Sequence, residues 1–272
     1  MKKLPVSVGI LSYKAHKTID KTLEQYGDFL SYFEEAKVFF QCFSEQDKEI
    51  AEKYRIAYEG RPDNVGIQGG MRWVAENLKC DYILYLENDI QLLTDIPTAL
   101  VEIEKAMNLM ANGQAEVVRL RSRFQPGEQF CDVEKYTRIF KPVSIHPDFQ
   151  EFFKIKKTNP VLKYLRPMKA RKLLARSLYI EKYPEQLFPK YIRKEGDFYF
   201  ADSSSLNWTN NAIITKKDFL LKLLDYADAH PSSRTVGGMQ DFEKPLNCRW
   251  WRKQRFNIAI SEGIFTHQRL DR

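Results

Sequence analysis

The chain has 272 residues, 43% of them hydrophobic and 29% charged. That suffices for a full core in one α/β unit and excludes disordered or collagen-like architectures. Cys42, Cys80, Cys131 and Cys248 are scattered without a C-x-x-C pair, so zinc-ribbon and disulfide-scaffold frameworks lack support. No stretch approaches the roughly 20 apolar residues of a membrane span. The net charge of +7 leaves nucleic acid, an anionic membrane surface and phosphorylated ligands as classes of partner.

Met1-Lys2-Lys3 has the charge of a secretory leader, but the apolar run that follows is short and meets Lys14, His16 and Lys17 without a cleavage site. It reads as a first strand over 6–11 and implies a cytoplasmic protein. Ile19, Leu23, Tyr26 and Leu30 then have helical spacing over 16–30. Strands are predicted over 37–43, 54–58, 81–86 and 116–120, and helices over 45–53, 69–78 and 96–110. This alternation predicts a parallel, doubly wound sheet with helices on both faces.

The second half is less regular. Six of the twelve prolines fall between Pro142 and Pro189, which disfavours long elements there. One amphipathic stretch, 168–180, sets Lys169, Lys172 and Arg176 on one face and Ala170, Leu173, Leu174 and Leu178 on another. Strands are expected again over 198–200, 211–214 and 256–260, with a helix over 217–229 and an aromatic, basic helix around Trp250. Residues 151–195 carry a net charge of +9, so the rest of the chain is −2. The basicity belongs to a proline-broken insertion within a single domain.

In open α/β sheets, ligands sit beyond the carboxyl ends of the strands. Three features should converge there. Glu87-Asn88-Asp89 follows the strand over 81–86; two carboxylates one residue apart suit a hard divalent cation that bridges a diphosphate. Acids also cap strand ends, and a lone acid pair carries both readings. Asn64 to Arg72, with Gly66, Gly69 and Gly70, enters a helix whose N-terminal amides suit a phosphate or sugar. Its spacing is neither G-x-G-x-x-G nor a P-loop. His267 ends Gly263-Ile264-Phe265-Thr266-His267, as a metal ligand or as a structural histidine.

Taken together these residues resemble the GT-A-fold glycosyltransferases, especially the family-2-like group that uses nucleotide-sugar donors. The resemblance spans 6–93 and 207–272. It implies a doubly wound mixed sheet, with a nucleotide-sugar-binding half over 1–121 and an acceptor half over 122–272. The family's base-binding loop corresponds to Ser12-Tyr13-Lys14, and its N-x-G-x-x-x-G segment to Asn64, Gly66 and Gly70, with Arg72 as an added cation. Its D-x-D corresponds to Glu87-Asn88-Asp89, with Glu87 standing where Asp is usual. The resemblance implies Mn²⁺ or Mg²⁺ held by Asp89 and His267, and Asp241 as the base that deprotonates an acceptor hydroxyl, with inversion. Gln240 replaces the acid that usually precedes that base. The resemblance favours a UDP-sugar donor and implies a glycan or lipid-linked acceptor of surface-polysaccharide or lipopolysaccharide synthesis. The basic insertion, with Lys169, Lys172 and Arg176, reads either as contact with an anionic membrane surface or a phosphorylated, lipid-linked acceptor, or as a solvated basic face covering the core.

Two other readings remain open at this level. The +7 charge and Arg249-Trp250-Trp251-Arg252-Lys253 would suit a non-catalytic nucleic-acid-binding protein, although no recognition motif accompanies them. A sugar-phosphate nucleotidyltransferase shares the α/β logic but lacks a glycine-rich loop after the first strand, where Gly9 is isolated.

Overall fold

The computed structural model describes residues 3–127, 132–146, 157–233 and 235–271. Met1, Lys2, Cys131 and residues 151–156 of the basic insertion lie outside them. The first half runs β1 (Leu4–Tyr13), α1 (His16–Tyr26), β2 (Phe33–Gln41), α2 (Glu45–Lys53), β3 (Ala57–Arg61), α3 (Gly66–Asn77), β4 (Tyr82–Glu87), β5 (Ile90–Leu92), α4 (Ile96–Ala111) and β6 (Val117–Arg121). The second half contributes α5 (Asp132–Thr137), α6 (Val161–Leu165), α7 (Pro167–Leu174), α8 (Pro184–Leu187), β7 (Arg193–Glu195), β8 (Phe198–Asp202), β9 (Ile213–Lys216) and α9 (Lys217–Ala229). It closes with β10 (Thr235–Val236), β11 (Met239–Gln240), α10 (Glu243–Leu246), α11 (Arg249–Gln254) and β12 (Asn257–His267).

The predicted alternation is present, and the sheet is mixed, as the resemblance implies, rather than all parallel as the alternation alone suggests. Its order is β3-β2-β1-β4-β9-β6-β12-β8-β7, with β5 paired to β12. β1 to β4 are mutually parallel; β9 enters antiparallel between β4 and β6, so the parallel continuation expected from 116–120 does not occur. Strand alternation divides the core between the two faces. Val6, Val8, Ile10, Val38, Phe40, Leu84 and Leu86 pack on the α1 side; Leu11, Phe39, Ile83 and Tyr85 pack on the α3 and α9 side. Gly9 lies on the second face, where a Cβ would meet Val74 Cγ1 at 2.4 Å, and its absence lets α3 press against β1.

Several boundaries move for local reasons. α1 stops at Tyr26 because Gly27 takes a positive φ of 48°, and Leu30 falls in a separate 3-10 turn. Tyr54 caps α2 rather than opening a strand, and β3 begins at Ala57. α3 starts at Gly66, three residues before the predicted start. The stretch over 168–180 splits into α7 and a 3-10 segment, Ala175–Tyr179. Ala170, Leu173 and Leu174 are buried as expected, in a satellite core with Val133, Tyr136 and Phe140; Leu178 joins the main sheet core instead. Among the described residues no helix is long and apolar enough to cross a membrane.

Buried charge organises this region. Glu181, fully buried, accepts hydrogen bonds from Tyr136 Oη at 3.0 Å, Ser144 N at 2.7 Å and Val143 N at 3.1 Å. Arg123, also fully buried, donates to the Leu178 and Glu181 carbonyls, pairs with Glu262 at 2.7 Å and lies over the Tyr199 ring. Glu181→Ala removes the acceptor of the Val143 and Ser144 amides and leaves the Tyr136 hydroxyl without its partner in the core. The expected loss is on the order of 3 kcal/mol in urea unfolding, with faster exchange of those two amides.

Candidate active site

The site forms where the parallel strands end. Beyond β4, Asn88 N donates to Leu11 O at 3.0 Å and its carbonyl accepts from Thr22 Oγ1 at 2.8 Å, which ties the turn to β1 and α1. β12 then reaches the same place from the other end of the chain. It runs parallel to β6 through Ile260, is interrupted at Gly263 (φ 92°), where a Cβ would sit 2.4 Å from the Ser122 backbone, and finishes antiparallel to β5. That register sets His267 opposite Ile90, beside Asp89. Gly127, with φ 76°, permits the segment after β6 to lie along His267, where any Cβ would collide with the His267 carbonyl.

Asp89 is fully buried. Its Oδ2 accepts from Arg269 Nη2 at 2.6 Å and Nε at 3.0 Å, and lies 3.0 Å from His267 Nε2. Burial alone would raise its pKa, but His267 and Arg269 outweigh it and hold the carboxyl below the usual range. Glu87 is the opposite case. Burial and the negative charges of Asp89 and Glu243 push it up to about 8, against the pull of Arg269 and Arg121.

Above these groups lies a cavity of about 450 Å³. Tyr13, Asn64, Gly66, Glu87, Asn88 and Asp241, all singled out from sequence, line it, as do Lys14 and Arg269. Asn64 Oδ1 accepts from Gly66 N at 2.8 Å, and Gln41 Oε1 from Val65 N at 2.8 Å, so the glycine-bearing loop is held open by side chains. Asp241 Oδ1 accepts from Glu243 N at 3.0 Å. Before it, Gly237 and Gly238, both with positive φ, make the two-residue turn of the β10–β11 hairpin. That hairpin packs on the start of α3 through Met239 and Gly66.

Other expected residues are elsewhere. Ser12 is buried within β1 and does not line the cavity. Gly70 serves packing, since a Cβ there would strike Leu11 Cδ2 at 2.6 Å. Arg72 turns away from the cavity; it pairs with Asp225 at 2.8 Å and Asp228 at 2.6 Å, which fastens α3 to α9. Trp208 and Trp251 are core residues, edge to face at 5.8 Å. Sequence reasoning missed Arg269 and Gln41. Arg269, two residues beyond His267, had a positional signal; Gln41, at the end of β2, had none.

Among the described residues no three His, Cys, Asp or Glu side chains form a metal cage. A divalent cation of the Mg²⁺ or Mn²⁺ type takes one or two protein ligands and completes its shell with substrate phosphates and water. Asp89 and His267, which do not themselves line the cavity, each keep one atom for such a role. Asp89 Oδ1 and His267 Nδ1 are both buried without a hydrogen-bond partner.

Gly66 offers a stability test of the hairpin contact. Gly66→Ala combines an unfavourable φ of 72° with a Cβ 2.6 Å from Met239 Cβ, whereas Gly113→Ala has a similar φ of 68° in open space. Gly113→Ala is expected to cost about 1 kcal/mol and Gly66→Ala about 1–2 kcal/mol more, read from denaturation midpoints.

No protein family matches the sequence, and no curated protein matches it. Solved structures show a distant likeness. Residues 1–349 of S. aureus TarS match with a TM-score of 0.49 and 13% identity over 98% of this chain, which spans 60% of that one; the match to the longer TarS chain spans 22% of it. Glucosyl-3-phosphoglycerate synthase from Mycobacterium tuberculosis, solved with Mn²⁺, UDP and glucosyl-3-phosphoglycerate, matches with a TM-score of 0.48 and 12% identity over 97% of this chain and 72% of its own. Mannosyltransferase PcManGT from Pyrobaculum calidifontis, in complex with GDP-Man and Mn²⁺, gives 0.38 and 11% identity over 50% of this chain and 41% of its own. The TM-score stays below 0.5 in all three.

Proposed function

We propose that the protein is a metal-dependent glycosyltransferase that moves a sugar from a nucleotide-diphosphate donor, with UDP favoured, to a hydroxyl of a glycan or lipid-linked acceptor. The observation that carries this reading is the meeting of Asn64, Gly66, Glu87, Asn88 and Asp241 around one cavity at the carboxyl ends of the parallel strands. In it, Tyr13, 44% exposed, offers a ring face to the base, and the Gly66 backbone leaves room for the donor. Lys14 and Arg269 supply positive charge toward the diphosphate. Asp89 and His267 would hold the cation, which neutralises charge on the leaving diphosphate.

Asp241, in the lining of the same cavity, is the base in this reading. As the acceptor oxygen attacks the anomeric carbon, its proton passes to the Asp241 carboxylate while the bond from that carbon to the diphosphate oxygen breaks, with inversion. The Glu243 amide holds one carboxylate oxygen and fixes the direction of the other. With a UDP-sugar and Mn²⁺, Asp241→Asn should lower the transfer rate about a thousandfold and leave UDP affinity intact; Asp89→Asn should abolish Mn²⁺-dependent UDP binding. A full transfer rate in Asp241→Asn overturns the assignment of the base.

A second part of the proposal places the protein on an anionic membrane surface. Val161, Tyr164 and Leu165 on α6 and Met168 at the start of α7 are 56–79% exposed, beside exposed Lys163 and Arg166. Lys172 and Arg176, which the periodicity set with Lys169 on one basic face, line a cleft instead. Serine at Tyr164, Leu165 and Met168 together should release the protein from phosphatidylserine-containing vesicles in a sedimentation assay; unchanged sedimentation counts against attachment here.

A further inference from the structure

Several of the buried or half-buried arginines are answered by an acid. Arg123 meets Glu262, Arg269 meets Asp89, and Arg72 meets Asp225 and Asp228. Arg119 and Arg252 differ. Arg119, 5% exposed on β6, donates to the Asn207 carbonyl and lies 3.4 Å from Tyr179 Oη. Arg252, half-buried on α11, donates to the Ser203 and Ser204 carbonyls and to Asn207 Oδ1, and its Nε is buried without a partner. Among the described residues neither has a carboxylate partner. Withdrawing a guanidinium from water without a counter-charge is costly. Burial and the nearby charges of Arg176 and Arg171 accordingly lower the pKa of Arg252, while the Cys248 thiol opposes that shift.

Both arginines open onto one cleft. Its inner part, about 340 Å³, is lined by Arg119, Arg121, Arg176, Lys172, Lys135 and Lys244, with Glu243 as the acid among its lining residues. An outer part of about 450 Å³ continues it past Lys172 and Arg176 to Lys169, Arg138 and Arg252. Glu243 and Lys244 line the inner part, and Gln240 and Asp241 line the nucleotide-side cavity, so the α10 segment separates the two spaces. The Arg119 and Arg252 guanidinium groups, held by carbonyl oxygens and without a carboxylate partner among the described residues, suit the fork-shaped binding of phosphate oxygens.

We propose that this cleft binds a phosphate group of the acceptor, so that the substrate accepting the sugar is a phosphorylated molecule whose hydroxyl reaches Asp241 across the α10 segment. The acceptor role rests on the transferase reading above; the phosphate site does not. The phosphate belongs either to a soluble phosphorylated sugar or polyol, or to a lipid phosphate.

The test uses the full chain in EDTA, with glycerol 3-phosphate and glucose 6-phosphate as soluble probes, glucose as the uncharged control and phosphatidic acid micelles as the lipid probe. UDP with Mn²⁺ is titrated separately by calorimetry. Saturable binding of a phosphate probe and none of glucose is expected, weakened roughly tenfold by Arg252→Gln and by Lys172→Gln. Lys172 is exposed, so its variant keeps the test valid if Arg252→Gln fails to fold. UDP affinity should not change in either variant. Binding of a soluble probe assigns a soluble acceptor, and binding of the micelles alone assigns a lipid phosphate; both support the site. No phosphate binding, or binding unchanged in both variants, overturns it. So does a single-stranded DNA 20-mer that displaces the probe with steep salt dependence, which would make the cleft a nucleic-acid surface. Absence of UDP binding with phosphate binding retained leaves the site standing and removes its role as acceptor pocket.

Discussion

Asp89, fully buried past the end of β4, shares one carboxylate oxygen between His267 and Arg269, and the remainder of the site depends on that contact. It joins the middle of the sheet to the last residues of the chain. A buried carboxylate is tolerated only when charge and hydrogen bonds replace the lost water, and here those partners come from β12 and the tail beyond it. The tail then continues over α1, where Leu270 N donates to Thr18 Oγ1 at 2.9 Å and Asp271 accepts from Thr18 N at 2.8 Å. Arg269 and Asp271 thereby become part of the cavity wall. Every element that lets β12 arrive in register, from the interruption at Gly263 to the close approach at Gly127, serves that one pairing.

The two cavities differ in how they treat charge. In the first, acids outnumber what their neighbours neutralise: Glu87 sits well above the carboxylate range because Asp89 and Glu243 stand near it in a dry site. In the second, cations are concentrated and two arginines are held by carbonyls alone. An excess of negative charge in one and of positive charge in the other, separated by the α10 segment, suits a cation on one side and a phosphate on the other. The +9 of the basic insertion is thus partly a cleft lining rather than only a solvated face, because Lys172, still exposed, and half-buried Arg176 border the cleft while Lys163 and Arg166 stay outside it.

Much of the first half was legible in the sequence because its signals are local. Alternation in Val6, Val8 and Ile10 and in Leu84 and Leu86 marks strands by the faces they bury, and the abrupt change to Glu87-Asn88-Asp89 marks the strand end where a ligand would sit. Asn64, Gly66 and Asp241 were also recognisable as residue types in a pattern. Gly70 and Arg72 show the limit of that recognition. Both belong to the same short segment as Gly66, yet one faces β1 and the other α9, because a helix distributes consecutive residues around its axis.

By itself, then, the sequence determined the alternating α/β architecture, the strand ends at which chemistry would collect, and the location of the excess basic charge, since each follows from periodicity or from residues close in the chain. Tertiary structure alone decided that β9 runs antiparallel between β4 and β6, that His267 and Arg269 close on Asp89, that Arg72 is structural, and that Arg119 and Arg252 line adjoining parts of a basic cleft, neither with a carboxylate partner among the described residues. Those facts join residues distant in the chain, and only the packing of the two ends around one sheet sets how far apart they lie.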